Sequence, residues 1–264
     1  MYIADQTWPD LGDYVAEESL AVVPLGSTEQ HGPHLPLATD HLIAESLARA
    51  ATERTGHLCT PTVNVGVSPH HRQFHGTMWV DAPQFRDYVE SMTRNLAYHG
   101  IDRVVFVNAH GGNVQHLREV GRRLRDDGTM YAIEWMWDES IPDLVRELFD
   151  HPGPHGGPKE TAMILHIARE LVEEEKLNDA RDGGTVDLSR DDVRKHGSRT
   201  FYDAIENSNN GVFGDQTDAT PEAGATLFEA ATDQLVALLE WLDAQPFSDL
   251  MAPAHVDPQP GERR

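Results

Sequence analysis

Short apolar segments alternate with longer amphipathic segments along most of this 264-residue chain, and this alternation constrains its fold more than any other feature. The apolar segments are brief and rich in β-branched residues, which is typical of buried strands, and the segments between them repeat apolar residues at helical spacing. The predicted strands are residues 20–26, 58–66, 102–113 and 129–137, and the predicted helices are residues 40–56, 83–100, 114–128, 156–175 and 221–245. The alternation predicts an α/β fold with a mostly parallel sheet that is covered by helices on both faces.

The ends of these segments carry residues that usually start or stop them. Thr39 or Asp40 can cap the helix of residues 40–56, and Gly56 can end it. Pro61 lies inside the second predicted strand and indicates an irregularity or an edge position.

No internal repeat or change of composition divides the chain, so we expect a single domain over residues 1–250. Residues 181–220 are polar and lack a clear period, and such a long loop is expected to be functional or to contact a partner. Residues 251–264 are predicted to be a disordered tail.

Acidic residues dominate the charge of the chain. Asp and Glu total 44 against 21 Lys and Arg, which gives a formal net charge of -23. A surface of this sign repels phosphate backbones, so the composition argues against nucleic-acid binding. It also destabilises the compact state by self-repulsion that salt relieves, so the chain is either adapted to a high-salt cytoplasm or is an ordinary acidic protein.

If the protein is adapted to high salt, its free energy of unfolding should rise as KCl is raised from low to multi-molar concentration, because counterions screen the repulsion between carboxylates. Chemical unfolding followed by circular dichroism across that range of KCl measures the effect. Full stability without salt would contradict the halophilic interpretation.

The sequence contains little that would indicate disulfides, secretion or membrane insertion. Cys59 is the single cysteine, so an intrachain disulfide and a thiolate metal cluster are excluded. The first residues lack the basic and apolar regions of a secretion signal, and no apolar stretch approaches the length of a membrane span. We therefore expect a cytoplasmic protein that does not associate with membranes.

Acidic and histidine side chains crowd at the carboxyl ends of two predicted strands. Glu29 and His31 follow the first strand, Asp40 starts the next helix, and His110 lies at the end of the third strand. Because ligands of an open parallel sheet bind beyond the carboxyl ends of its strands, we expect these four residues at one edge. They are either ligands of a metal or polar residues of a solvated loop.

The residue types favour a transition metal over calcium or magnesium. Mixed carboxylate and imidazole ligands suit Zn²⁺, Mn²⁺ or Fe²⁺, and a carboxylate at a helix start can bridge two cations. A pair of such ions lowers the pKa of a bridging water and polarises a carbonyl group, as amide hydrolysis requires.

Five motifs along the chain combine glycine, histidine and acidic residues. They are PLGSTEQHGPHLPLATDH (24–41), GVSPHHRQFHGTM (66–78), VNAHGGN (107–113), HGGPKET (155–161) and NGVFGDQTDATPEAG (210–224). In this order they resemble the motifs of the creatininase (creatinine amidohydrolase) family and span most of the chain. The resemblance implies a three-layer α/β/α fold, two divalent metal ions and a homo-oligomer that is often hexameric.

The same resemblance implies roles for particular residues. Glu29, His31, Asp40 and His110 would be metal ligands, and Asp40 would bridge the two ions. Glu160 would be a fifth ligand that also takes part in catalysis, unless it is an acidic residue that only favours a helix start.

The resemblance also implies roles for residues that are not metal ligands. His155 would carry a proton to the leaving nitrogen, unless it is a turn residue among glycines and prolines. His71, Gly111 and Asn113 would face the substrate, and Asn113 is also expected to cap the following helix and so orient the loop. Creatininases proper carry Tyr and a metal-binding Glu where this chain has Gly111 and Gly112. The glycine form resembles other branches, including archaeal formamidopyrimidine-nucleotide deformylases and a mycofactocin-precursor peptidase.

These features predict an enzyme that acts on a small molecule. The expected activity is a metal-dependent amidohydrolase that cleaves a C–N bond other than a peptide bond, in a cyclic amide or a formamide, through a water held between the two ions. The alternatives are a formamidopyrimidine-nucleotide deformylase, a peptidase of a small modified peptide, and a catalytically inactive metal-binding scaffold.

Overall fold

A computed structural model describes residues 1–181 and 203–253 of the chain. Residues 182–202 of the polar segment and residues 254–264 of the predicted tail lie outside the described residues. Four strands of the described part form one parallel sheet: β1 (Leu20–Leu25), β2 (Leu58–Cys59), β3 (Arg103–Asn108) and β4 (Tyr131–Met136). The longer helices of the same part are α1 (Trp8–Glu17), α2 (Thr39–Thr55), α3 (Ala82–Tyr98), α4 (Val114–Asp126), α5 (Pro142–Leu148), α6 (Pro158–Ile167) and α7 (Pro221–Asp243).

The order of the strands determines where a ligand can bind. The order is β2-β1-β3-β4, so the direction in which the chain crosses the sheet reverses between β1 and β3. These two strands pair along their whole length, from Leu20 opposite Arg103 to Leu25 opposite Asn108. Such a reversal leaves a crevice beyond the carboxyl ends of the two strands, because their connections leave toward opposite faces.

Alternate side chains of the central strands build a core on each face of the sheet. Ala21, Val23 and Leu25 of β1 pack with residues of α1, α3 and α4, whereas Leu20 and Val22 pack with residues of α2 and α7. Helix α6 packs against α2 and α7 on this second side. All six residues of β1 are therefore buried, and the predicted α/β fold with helices on both faces is confirmed.

The second strand is much shorter than its apolar run predicts. Only Leu58 and Cys59 pair with β1, and the rest of residues 58–66 meets β1 through one isolated bridge between Leu25 and Val63. Pro61 lies where the pairing stops, because proline has no N–H to donate to a sheet.

Several helix boundaries also differ from the prediction. The helix predicted over residues 156–175 is α6, which starts at Pro158 because Gly156 has a φ of 62° that a helix does not allow. It ends at Ile167 and is followed by short 3-10 turns. The periodicity did not identify α1 or α5, which are short.

The start of α2 differs from the expected cap. The residue before the helix is Ala38, and no side chain caps it. Instead, the hydroxyl of Thr39 donates to the carbonyl oxygen of Pro36 at 2.8 Å, which leaves the carboxylate of Asp40 available for other contacts. Gly56 ends the helix as predicted, with a φ of 82°. None of the described helices combines the length and the apolar character that crossing a bilayer requires.

Candidate metal centre

The acidic and histidine residues singled out in the sequence converge beyond the carboxyl ends of β1 and β3. Glu29 and His31 follow β1, and His110 follows β3. The Nδ1 of His110 lies 3.3 Å from Oε1 of Glu29, although 81 positions of sequence numbering separate the two (110 minus 29). All of these side chains and Asp40 are buried. They therefore lie in the crevice that the strand order creates, not in a solvated loop.

A glycine at the end of β1 brings Asp40 to this place. A Cβ atom on Gly26 would lie 2.3 Å from the main-chain nitrogen of His41 and 2.6 Å from the carbonyl carbon of Asp40. Only a residue without a side chain allows the first turn of α2 to approach the strand end so closely. This contact places the carboxylate of Asp40 beside the residues that follow β1.

A first group of acceptor atoms surrounds His110. Its Nε2 lies 3.1 Å from the main-chain oxygen of Val67, which holds the proton on Nε2 and turns the Nδ1 lone pair inward. This Nδ1 lies 3.3 Å from Oε1 of Glu29 and also 3.3 Å from Oδ2 of Asp40. Three acceptor atoms from three segments therefore face one point.

A second group of acceptor atoms surrounds His31. Its Nδ1 lies 3.1 Å from the main-chain oxygen of Glu29, so its Nε2 faces inward. This Nε2 lies 2.9 Å from Oδ1 of Asp40 and 3.9 Å from Oε2 of Glu160. The N–H of Gly156 donates to the same Oε2 at 2.6 Å and holds the Glu160 carboxylate in the first turn of α6. Asp40 thus presents one oxygen to each group.

The buried carboxylates lack the partners that would satisfy them. Among the described residues, neither oxygen of Glu29 nor Oδ2 of Asp40 receives a hydrogen bond, and buried charges normally are paired or bind a metal. Burial disfavours a charged His31, yet Asp40, with help from Glu160 and Glu29, raises the pKa of His31 to about 10. Against the same burial, Glu29 and Asp40 raise the pKa of His110 well above its usual value. The pocket therefore requires positive charge.

Two divalent ions would supply that charge with the ligands present. Glu29, Asp40 and His110 fit one ion, and His31, Asp40 and Glu160 fit a second, with Asp40 shared. The outer N–H of each imidazole is held by a main-chain carbonyl, which is how proteins commonly orient metal-binding histidines. Nitrogen and oxygen ligands in these numbers suit zinc or manganese.

His155 lies beside both groups of acceptors. Its Nε2 donates to the main-chain oxygen of Gln30 at 2.6 Å, which leaves Nδ1 facing Oε1 of Glu29 at 3.6 Å. The ring packs between those of His31 and His71, with centroids 4.1 and 4.3 Å away. Burial, together with the neighbouring imidazoles of His31 and His71, lowers the pKa of His155 well below its usual value. A neutral imidazole with a lone pair directed at the centre has the geometry that proton transfer needs.

Gln30 holds two histidines of the centre, although it was given no role when the motif that contains it, residues 24–41, was interpreted. Its Oε1 accepts the N–H of Gly32 at 2.9 Å, so its Nε2 is a donor, and this Nε2 lies 2.7 Å from Nδ1 of His71. His71 therefore carries its proton on Nε2, which is directed at Oε1 of Glu29 at 3.4 Å. In this state His71 directs an N–H, and no lone pair, toward the centre. The main chain of Gln30 anchors His155 from the same position.

Asn113 lies in the protein interior, whereas the family resemblance implied that it faces the substrate. It is fully buried and does not line the cavity. Its Nδ2 donates to the main-chain oxygen of Gly26 at 3.0 Å, and its Oδ1 accepts the N–H of Val67 at 3.0 Å. Because both ends of the amide are used, the predicted substrate contact finds no support. Asn113 does stand at the cap position directly before α4, but its side chain does not bond to the helix and instead holds Val67, whose carbonyl orients His110.

The centre opens into a cavity of about 760 Å³. Its wall includes Glu29, His71, His110, Gly111, Gly112 and His155. A Cβ atom on Gly112 would lie 2.2 Å from the main-chain oxygen of Val67 and 2.3 Å from Nε2 of His110, so a carboxylate side chain has no room there. Glu160 does not replace it, because Glu160 lies on the His31 side of the centre.

Comparisons with known proteins agree with this fold and show the family of the chain. The sequence profile described as "Creatininase: Creatinine amidohydrolase" matches residues 4–239. The chain belongs to the creatininase family. A mycofactocin precursor peptide peptidase of Mycobacterium ulcerans is 34% identical over 240 residues, which are 88% of this chain and 84% of that protein. A 2-amino-5-formylamino-6-ribosylaminopyrimidin-4(3H)-one 5'-monophosphate deformylase of Methanothermus fervidus is 30% identical over 173 residues, 64% of each chain.

Solved creatininase structures share the architecture. One described as "Creatininase Mn" superposes with a TM-score of 0.78 at 23% identity and covers 92% of this chain and 99% of that chain. Another is described as a Zn-Zn type. The creatininase-like three-layer fold expected from the motifs is confirmed, and the chain is a hydrolase of this family with candidate sites for a pair of metals. The expected likeness to deformylases is present, but at a lower identity, 30% and 27% for two of them against 34% for the peptide peptidase.

Proposed function

We propose that this creatininase-family hydrolase is a metal-dependent peptidase that cleaves an amide bond in a small peptide. The proposed hydrolysis rests on one observation: two groups of possible metal ligands share Asp40 beside an open cavity. The peptide part is supported by a relative that is 34% identical over most of the chain, because its name gives a precursor peptide as the substrate. The absence of a side chain at Gly111, where a Cβ atom would meet nothing within 4 Å, also leaves space on the cavity wall for a substrate larger than a cyclic amide.

This proposal changes the bond class expected from the sequence. The motifs led to a C–N bond other than a peptide bond, because the creatininase signature dominates them. That signature covers the residues near the strand ends, and proteins named for different substrates match this chain over the same part. The motifs therefore predict the metal centre but do not determine the bond that is cleaved.

The chain's own residues can bind and protonate the reacting amide. Bound divalent ions would polarise its carbonyl and acidify a water molecule. His155 accepts a proton at Nδ1, the atom directed at Glu29, and passes it to the leaving nitrogen, while Gln30 fixes its other nitrogen. His71 keeps its Nε2 proton directed at Glu29 and so orients that carboxylate.

A substrate panel tests the proposal. Protein purified in high salt and reconstituted with zinc or manganese is incubated with short peptides, creatinine and a formamidopyrimidine nucleotide, and release of new amines is measured. We expect hydrolysis of peptides, its loss on chelation, and its recovery when the metal is restored. Hydrolysis of creatinine or the formamide without cleavage of peptides would contradict the peptidase proposal. Bound metal without any hydrolysis would favour a non-catalytic scaffold.

A further inference from the structure

Arg72 lies on the cavity wall, close to the candidate metal centre. It directly follows His71, whose Nε2 lies 3.4 Å from Oε1 of Glu29, and about half of its side chain is exposed (52%). Among the described residues that line the cavity, it is the only arginine or lysine. The same wall carries carboxylates of Asp203 and Glu206. A lone guanidinium in such an acidic wall indicates that the cavity has a place for an anionic group.

The guanidinium of Arg72 binds a carboxylate through two parallel hydrogen bonds. Its Nη1 donates to Oδ1 of Asp203 at 2.9 Å, and its Nη2 donates to Oδ2 at 2.6 Å. Nη1 also donates to the main-chain oxygen of Pro69 at 3.2 Å, which fixes the direction of the side chain. The planar fork is thus preorganised for a carboxylate, as arginine is wherever bidentate recognition is required.

Gln73 completes the binding position. Its Nε2 donates to Oδ2 of Asp203 at 2.6 Å, so two consecutive residues direct three hydrogen bonds to one carboxylate. Asp203 reaches this position from a distant segment, where it starts the 3-10 turn Ala204–Glu206. We name the donors of Arg72 and Gln73 the carboxylate cradle.

We propose that the carboxylate cradle receives a carboxylate of the substrate and that Asp203 occupies it in the absence of substrate. This inference rests on the proposed peptidase function and narrows its substrate class to peptides with an anionic group near the cleaved bond. The carboxylate belongs either to the C terminus of the peptide or to an acidic side chain, and the two sources offer the same planar acceptor.

Exchange of one carboxylate for another in the cradle costs little. The pair between Arg72 and Asp203 is partly exposed, with 52% and 21% of the side chains accessible, and exposed ion pairs contribute little to stability. Because the formal charge of -23 repels an anion from the acidic surface, Arg72 is the position on the described cavity wall where the charge of an anionic substrate can be offset. An arginine at the cavity is therefore the natural point of attachment for an anionic substrate.

Matched peptides test the carboxylate cradle. One pair has the same sequence with a free C-terminal carboxylate or a C-terminal amide, and a second pair, amidated at the C terminus, carries Glu or Gln beside the cleaved bond. With the zinc-loaded protein, we expect Arg72→Gln to lower kcat/KM by roughly 10- to 100-fold for the preferred anionic peptide and to leave its neutral partner unchanged. Arg72→Lys should retain part of the preference, because lysine supplies the charge without the fork. Asp203→Asn should lower KM for the anionic peptide, because a competing anion is removed.

Arg169→Gln is the matched control. Arg169 forms a comparable pair with Glu174, at 2.7 and 3.1 Å, away from the cavity wall, so its loss should leave the preference unchanged. Equal losses on anionic and neutral peptides in Arg72→Gln would overturn the proposal and assign the pair a structural role only. Should the wild type hydrolyse no peptide, the proposed peptidase function fails, and calorimetric titration with the same peptides then decides on the cradle. The carboxylate cradle would be supported if the wild type binds the anionic peptide preferentially and Arg72→Gln abolishes this preference. Equal binding of both peptides, or no binding of either, would overturn it.

Discussion

Replacing Asp40 with alanine should remove metal from both halves of the centre and abolish hydrolysis. Asp40 directs Oδ1 toward His31 at 2.9 Å and Oδ2 toward His110 at 3.3 Å, so the substitution removes a ligand from each group at once. Metal ions supply several kcal/mol of transition-state stabilisation, so we expect the rate to fall by about 10³-fold or more. Elemental analysis of the purified protein and the rate with its best peptide measure the two effects.

A second variant on the same helix controls for indirect effects of the Asp40 substitution. Glu45 of α2 is paired with Arg49 at 3.5 Å and does not line the cavity. Glu45→Gln should therefore keep the metal content and activity of the wild type, and circular dichroism should show the same helical content in both variants. Wild-type metal content and activity in Asp40→Ala would disprove its role as the shared ligand.

Adding one methyl group at Gly112 should distort the His110 side of the centre. The new Cβ would approach the main-chain oxygen of Val67 to 2.2 Å and Nε2 of His110 to 2.3 Å, and these two atoms form the hydrogen bond that orients the imidazole. We expect Gly112→Ala to lower the free energy of unfolding by about 1–3 kcal/mol, the usual cost of overpacking, and to weaken binding of the ion beside His110. Urea unfolding and metal titration measure both effects.

The neighbouring glycine gives the matched control for Gly112. A Cβ atom on Gly111 would meet nothing within 4 Å, so Gly111→Ala should unfold like the wild type and bind the same amount of metal. If Gly112→Ala also matched the wild type in both measurements, the close approach to Val67 would not matter for the centre. If Gly112→Ala loses more unfolding free energy and more bound metal than Gly111→Ala, the same crowding explains why this chain cannot carry a carboxylate at position 112.

The parts of the fold that are predictable from the sequence are those whose burial is uniform. β1 and β3 are buried on both faces, and this produces the continuous apolar runs that identify them as strands. The length of β2 was not predictable, because the apolar run of residues 58–66 continues beyond Pro61 while the pairing does not. The helix predicted over residues 156–175 illustrates the same problem at a helix end, since the charged residues after Ile167 could equally continue a helix.

The candidate site was predictable only where it depends on the sheet. Glu29 and His110 lie at strand ends, so the rule for parallel sheets is enough to place them at one edge. Glu160 and His155 come from a segment with no such rule, and only the family resemblance indicated them. Gln30 was missed because its importance lies in contacts with His71 and His155, which are distant in the sequence. Likewise, both ends of the Asn113 amide are taken by main-chain partners that only the folded chain brings near.

The two imidazoles of the centre are oriented by the peptide groups of Glu29 and Val67, and no exchange of a neighbouring side chain can delete a peptide carbonyl. Mutations at pocket positions that do not contact these two peptide groups can therefore accumulate without disturbing the tautomers of these histidines. Substitutions on the cavity wall, at positions such as Arg72 and Gly111, can then change what binds there while these two imidazoles keep their orientation. An ancestral scaffold of this kind can give rise to descendants that process quite different amides.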